Sequence, residues 1–320
     1  MKLHLSTLAS ALTLAFAATS AHAQLESITA QKGVGNSAYT VQQTASGLIK
    51  ATITQIGDNN KAGDPVAKTG GIVQIGANTD ISATIAQQGN QNNAGIRQEK
   101  AVRASATVAQ TGNQNIAAVR QNGAWQSDAT LSQSGQKNSA TLDQQGVVDF
   151  EIIAKQFGTD NKLAVNQINS GHQGAYVTQN GVANGVTVAQ TQTDFAEVTI
   201  NQIGTGNNVK AVQKNAQFVQ STVAQNGTGN NALTDQAGIR NKSAINQKGN
   251  NNLATLTQNA NANESLVTQN GIANKATVSQ TGTGNAGALA NVSYITQTGN
   301  GYIATLTQNG SNNHSGIVQY

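Results

Sequence analysis

Short segments in which small, aliphatic and amide residues alternate with hydroxylated or variable polar ones recur along the chain. Examples are Ala129-Thr130-Leu131-Ser132-Gln133, Ala254-Thr255-Leu256-Thr257-Gln258, Ala276-Thr277-Val278-Ser279-Gln280 and Ala304-Thr305-Leu306-Thr307-Gln308. Strand side chains point alternately to opposite faces, so Ala, the aliphatic residue and Gln share one side and Thr and its polar companion the other. The pattern predicts half-buried β-strands with a small, branched, amide inner row. Charge placement supports the register. Asp143, Lys155, Glu197, Asp235, Lys242, Glu264 and Lys275 fall on outward slots, and Glu99, Lys137, Asp160 and Asp194 fall in turns. Burying an unpaired charge is costly enough to enforce that exclusion.

The strands repeat with the Gln that ends each one. Gln87, Gln98, Gln110, Gln121, Gln133, Gln144, Gln156, Gln167, Gln179, Gln190, Gln202, Gln213, Gln225 and Gln236 follow one another in alternating steps of eleven and twelve residues. Gln247, Gln258, Gln269 and Gln280 continue in steps of eleven, and after one longer step Gln297, Gln308 and Gln319 resume them. The unit is therefore 22 or 23 residues. Eleven-residue steps carry Gly two positions and Asn five positions after the Gln: Gly89 and Asn92, Gly112 and Asn115, Gly135 and Asn138, Gly204 and Asn207, Gly227 and Asn230, Gly249 and Asn252, Gly271 and Asn274, Gly310 and Asn313. Twelve-residue steps usually lack that Asn, so a tight turn and a looser link are expected to alternate.

Repeats of this length stack as solenoids. The expected fold is all-β, a parallel β-solenoid of strand-turn-strand repeats with cross-β character. Each Gln would lie above its counterpart at the roughly 4.8 Å ladder spacing, and about twelve turns would span on the order of 60 Å. Residues 87–320 read as the regular solenoid and 24–86 as irregular repeats with an insertion around 61–71. The only proline, Pro65, falls in that insertion, where a missing ladder donor is tolerated. A second bulge is expected around Ala286 to Asn291.

Composition narrows the function. Residues 1–23 read as a signal peptide, with Lys2, an apolar run from Leu8 to Ala18 and Ala21-His22-Ala23 before a cleavage point. The protein is expected to be exported through the periplasm to the cell surface, without membrane insertion. Aromatic residues make up 3% and charged residues 10% of the chain, too little for an ordinary core or surface, and there is no Cys to staple it. The formal charge is +4, spread without clusters, which argues against nucleic-acid binding.

The spacing S-x5-Q-x-G-x-x-N-x-A-x-x-x-Q resembles the curlin repeat. Ser127, Gln133, Gly135, Asn138, Ala140 and Gln144 match it throughout. Gln87, Gly89, Asn92, Ala94 and Gln98, and Gln110, Gly112, Asn115, Ala117 and Gln121, match it without the leading Ser. Gln31, Gly33, Asn36, Ala38 and Gln42 already read as repeat. The resemblance covers nearly all of the chain after Ala23. It implies a structural subunit of curli fibres, exported through a curli-type outer-membrane apparatus and self-polymerising into adhesive biofilm amyloid beside a second curlin-type subunit. The ending resembles the major subunit, while strands such as Asn274-Lys275-Ala276-Thr277-Val278 resemble the nucleator. No enzyme, cofactor or metal follows from it.

Rival chemistry is sparse. Gly282-Thr283-Gly284-Asn285-Ala286-Gly287 spells a dinucleotide fingerprint, but the repeat already accounts for Gly282 and Asn285. His172 and His314 lie far apart, each expected in a turn. Asp149 and Glu151, or Asp194 and Glu197, would be the carboxylates of a polysaccharide-active β-helix. Thr52 and Thr54, Thr255 and Thr257, and Thr305 and Thr307 form outward pairs that would suit a soluble ice-binding or adhesin solenoid. Arg97, Arg120, Asp143, Lys155 and Asn246 interrupt such an array.

Overall fold

A computed structural model describes residues 24–43, 47–63, 71–76, 79–282 and 291–320. The expected leader, the centre of the first insertion and most of the second bulge lie outside them. Inner and outer residues alternate along each chain segment, and a Gly or a left-handed residue reverses it at each corner. Each segment therefore becomes a strand and each corner a half-turn, giving parallel strands stacked in two sheets, a β-solenoid of about twelve turns without helix among the described residues.

One sheet has thirteen strands, from Gln24–Lys32 to His314–Gln319. The other has fourteen, but at two levels a pair of short strands shares one place. Those pairs are Ser37–Ala38 with Thr40–Gln42, and Lys61–Ala62 with Gly71–Ile75. The second sheet is thus one level shallower than the first. The insertion is narrower than 61–71, because Lys61 and Ala62 pair with Ser37 and Ala38 while Gly71 opens the strand that aligns with Gly95. At the second bulge, Asn291 is already the first residue of a strand. The stretch before Gln87 joins both sheets in register, with Gln31 aligned to Gln55 and Gln55 to Gln87.

Inner rows face each other across the two sheets. Ala129, Leu131 and Gln133 on one, and Ala140, Leu142 and Gln144 on the other, are buried, and one apolar cluster runs from Ala51 to Leu306. No charged residue is buried among the described residues. The first inner slot changes character along the chain, from Ala83, Ala106 and Ala129 to Ser221, Ser243, Ser265 and Ser293. These hydroxyls satisfy one another, Ser243 donating to Ser221 at 3.1 Å and Ser265 lying 2.8 Å from Ser293.

The tight corners stack glycine on glycine. Gly135 has φ 119° and lies over Gly158, so a Cβ there would come within 2.0 Å of the Gly158 carbonyl oxygen. At Gly206, φ is also positive but the space beside it is open. Gly135→Ala should therefore destabilise the solenoid by more than about 1 kcal/mol, because strain and a backbone collision add. Gly206→Asn should be nearly neutral, since Asn tolerates the left-handed region. Denaturant melts of the two variants compare them directly, and equal losses would contradict this account of the corner.

Candidate functional site

Burial makes the amide rows the most constrained groups in the molecule. A buried primary amide must place two hydrogens and its oxygen. In the thirteen-strand sheet, Gln110 Nε2 donates to Gln133 Oε1, Gln133 to Gln156 and Gln156 to Gln179, each at 2.8 Å. This ladder runs unbroken from Gln31 through Gln55, Gln87, Gln202, Gln225, Gln247, Gln269 and Gln297 to Gln319. The facing sheet holds a second ladder from Gln42 through Gln74, Gln98, Gln121, Gln144, Gln167, Gln190, Gln213, Gln236, Gln258 and Gln280 to Gln308. Consecutive glutamines of the sequence thus belong alternately to two ladders. In both, donation runs from the earlier turn to the later one.

The second amide hydrogen does something that the repeat spacing does not reveal. Gln133 Nε2 also donates to the Ile116 carbonyl at 3.0 Å, and Gln121 Nε2 to the carbonyls of Ser105 and Ser127 at 3.1 and 3.0 Å. Ile116 and Gln133 lie in different sheets. Each ladder therefore binds turn to turn and also ties one sheet to the other.

Asparagines close the corners in the opposite sense. The Asn138 backbone N–H and side-chain amide both donate to Asn115 Oδ1, at 3.0 and 3.2 Å, while the same amide reaches forward to the Gly158 carbonyl at 2.9 Å. Asn92, Asn115, Asn207, Asn230, Asn252 and Asn274 occupy this same corner, with Gly89, Gly112, Gly204, Gly227, Gly249 and Gly271. Gly310 and Asn313 do not; they stand at the opposite corner, where Asn313 stacks on Asn291 and Asn263 on Asn241. Earlier in the chain that opposite corner is the twelve-residue link, filled by Ala101 and Ala104, then Ala124, Val147 and Phe150, then Ala196, Ala216 and Val219. Apolar residues three places after the Gln, such as Ala124 and Val147, were the available signal for these satellite cores.

Five acidic residues gather outside the twelve-residue corner. A groove of about 550 Å³ is lined by Asp128, Asp149, Glu151, His172, Tyr176 and Glu197 among others. Asp194 pairs with His172 at 3.1 Å, and the Tyr176 hydroxyl donates to Glu151 at 2.9 Å. His172, Phe195 and Phe218 stack face to face at 4.5 and 5.0 Å. The Asp149/Glu151 and Asp194/Glu197 pairs are thus outward residues on a stacked edge, where Glu151, Asp194 and Glu197 bond to Tyr176, His172 and Thr199. Burial and then the Glu151 charge raise the Asp128 carboxyl above its usual range, and burial with Glu151 pushes Tyr176 up to about 12. Of the histidines, His172 sits at a corner, whereas His314 opens the last strand and not a turn. Of the dinucleotide-like run, Gly282 stacks on Gly310 and the rest lies outside the described residues. Two of the threonine pairs fall in one array over three successive turns, Thr255 and Thr257, Thr277 and Ser279, Thr305 and Thr307, which gives way to Leu233 and Asp235 on the turn before, whereas Thr52 and Thr54 lie in the other sheet beside Thr84 and Ala86.

Two outcomes follow. Gln133→Leu leaves one hydrogen of the Gln110 amide and the Gln156 oxygen without partners, at about 1–3 kcal/mol for each buried group, and removes the side-chain donor to the Ile116 carbonyl, whereas Ser132→Ala, on the outer face, should be almost silent in the same denaturation assay. Asp128, protonated more readily when folded than when unfolded, contributes stability that is complete at low pH and lost as pH rises through its raised folded value. Asp128→Asn should flatten that part of the stability–pH curve and raise stability at neutral pH. An unchanged curve would remove Asp128 from the account.

No curated protein matches the chain. Residues 249–282 match the family model of the curlin associated repeat. They span Gly249, Asn252, Gln258, Gln269, Gly271, Asn274 and Gln280, members of the ladders and corners described above, so in this segment the solenoid is similar to curlin repeats.

Proposed function

We propose that the protein is a structural subunit of an extracellular, curli-type amyloid fibre that serves adhesion and biofilm matrix, and that it polymerises by stacking solenoid end on solenoid end. One observation carries this reading: both ladders and both sheets reach the ends of the solenoid with a fixed polarity. Amide donors point toward the C-terminal turn and acceptors toward the N-terminal turn. Head-to-tail contact sets donors against acceptors, whereas two like ends oppose donor to donor or acceptor to acceptor. An open parallel edge of this kind is a template for another chain. The curlin repeat at 249–282 supports a fibre subunit over an enzyme. Export across the envelope, a second curlin-type subunit and a curli-type secretion apparatus belong to the same proposal.

Growth should be nucleated. Ordering one isolated turn costs roughly 1–2 kcal/mol per residue in backbone entropy, which only stacking on an existing edge recovers. Mature chains should therefore form β-rich fibres after a lag that preformed seeds abolish, followed by dye fluorescence and micrographs. Val318→Pro, in the last strand, should slow elongation on wild-type seeds, whereas Gly206→Asn, at an internal corner, should not. A chain that stays monomeric, folded and soluble for weeks at high concentration would favour the ice-binding or adhesin reading, for which the three-turn threonine array is the relevant surface.

A further inference from the structure

The two sheets are unequal in depth, and that inequality bears on how two ends can meet. Among the described residues, the thirteen-level sheet contributes the outermost strand at both ends, Gln24–Lys32 and His314–Gln319. If both strands stay in place at a head-to-tail junction, they abut each other. The second sheet then lacks a level, and Ile303–Asn309 of one copy faces Ser37–Ala38 and Thr40–Gln42 of the next across a strand-wide slot. Those facing edges would hold unpaired backbone groups away from water, which folded proteins avoid. Removing one of the two outer strands closes the slot and makes both sheets continuous.

The two strands are not held equally. Ile317 of the last strand packs against the central apolar cluster, and the Tyr294 ring lies across Gly316 so closely that no Cβ fits there. The first strand is exposed at eight of its nine residues, including Leu25 and Ile28. It also places Thr29 in a column that is otherwise aliphatic, Ile53, Ile85, Val108 and Leu131 being the next four members.

We propose that the strand Gln24–Lys32 is a removable cap, and that His314–Gln319 of a second copy takes its place on Leu48–Ile56. This rests on the end-to-end stacking proposed above. In the exchanged junction Ile317 covers Ile53, and Gln319 donates to Gln55 as Gln31 does within one chain. The exchange gives up Leu25 above Ile49 and the Glu26–Lys50 ion pair at 3.1 Å, which is partly exposed and therefore weak. Against these losses stands an uninterrupted second sheet.

The chain has no cysteine, so single thiols report the junction. Chains carrying Val318→Cys are co-assembled with size-tagged chains carrying either Thr54→Cys or Ala30→Cys, and the fibres are oxidised and dissolved under denaturing conditions. Neighbouring parallel strands hold facing Cα atoms about 4.8 Å apart, within disulfide reach. Strand exchange gives the Val318–Thr54 heterodimer and not the Val318–Ala30 one. The reverse result overturns the exchange but leaves end-to-end stacking intact, and fibres with neither link overturn both. As a second measurement, Thr29→Ile secures the cap on the aliphatic column. If the cap must open first, elongation should slow about ten-fold as the competent fraction falls; an unchanged or faster rate overturns the proposal.

Discussion

A buried primary amide has two hydrogens and an oxygen to satisfy, and in this solenoid the Gln ladders satisfy them chiefly with their own counterparts one turn away and with backbone carbonyls of the facing sheet. That requirement governs the rest. If Gln133 slipped by one residue it would face outward, leaving one hydrogen of the Gln110 amide and the Gln156 oxygen unpaired and the Ile116 carbonyl without its side-chain donor. The cost of such gaps, about 1–3 kcal/mol for each buried group, is repeated at every level, so register is fixed many times over. A few aliphatic residues per turn then suffice for a core. The ladder holds the sheets at a separation where Leu131 and Leu142, both fully buried, can fill the space.

The corners meet the same demand with different chemistry. At the tight corner, glycine allows the chain to reverse with backbone on backbone, and the Asn column ties each reversal to the one before and the one after. One added residue turns the opposite corner into a wider link that encloses small apolar clusters and carries the exposed His172, Phe195 and Phe218 stack. Individuality along a repetitive molecule is therefore concentrated on one edge. Acidic side chains accumulate there too, at some cost in stability around Asp128.

Self-satisfaction within the stack also defines what is left over at its ends. Among the described residues, the interior members of the two Gln ladders bond to a counterpart on both sides, and the terminal members Gln31 and Gln319 to a counterpart on one. Because Gln bonds run forward along the chain while Asn bonds to the side-chain oxygen run backward, the ends differ in kind. The proposed head-to-tail fibre rests on that difference, and the unequal depth of the sheets is why the outermost strand at one end is proposed as a cap.

Much of this was legible in the residues alone. Face is a local property of a strand, so the inward set of Ala, aliphatic and Gln positions and the exclusion of charge from it could be read from alternation. The eleven- and twelve-residue steps gave the period. Which corner a turn occupies is not local: Gly310 and Asn313 share the spacing of Gly135 and Asn138 but sit across the solenoid, because the shorter steps after Gln236 bring the same turn to both corners. Nor could spacing reveal that Gln31, Gln55 and Gln87 continue one ladder across intervals of 24 and 32 residues, since only the pairing of the flanking strands sets their height in the stack. The second amide hydrogen, the apolar clusters of the wide link and the extra level of one sheet were likewise decided by the tertiary structure, because each depends on which segments the stacking brings to the same height.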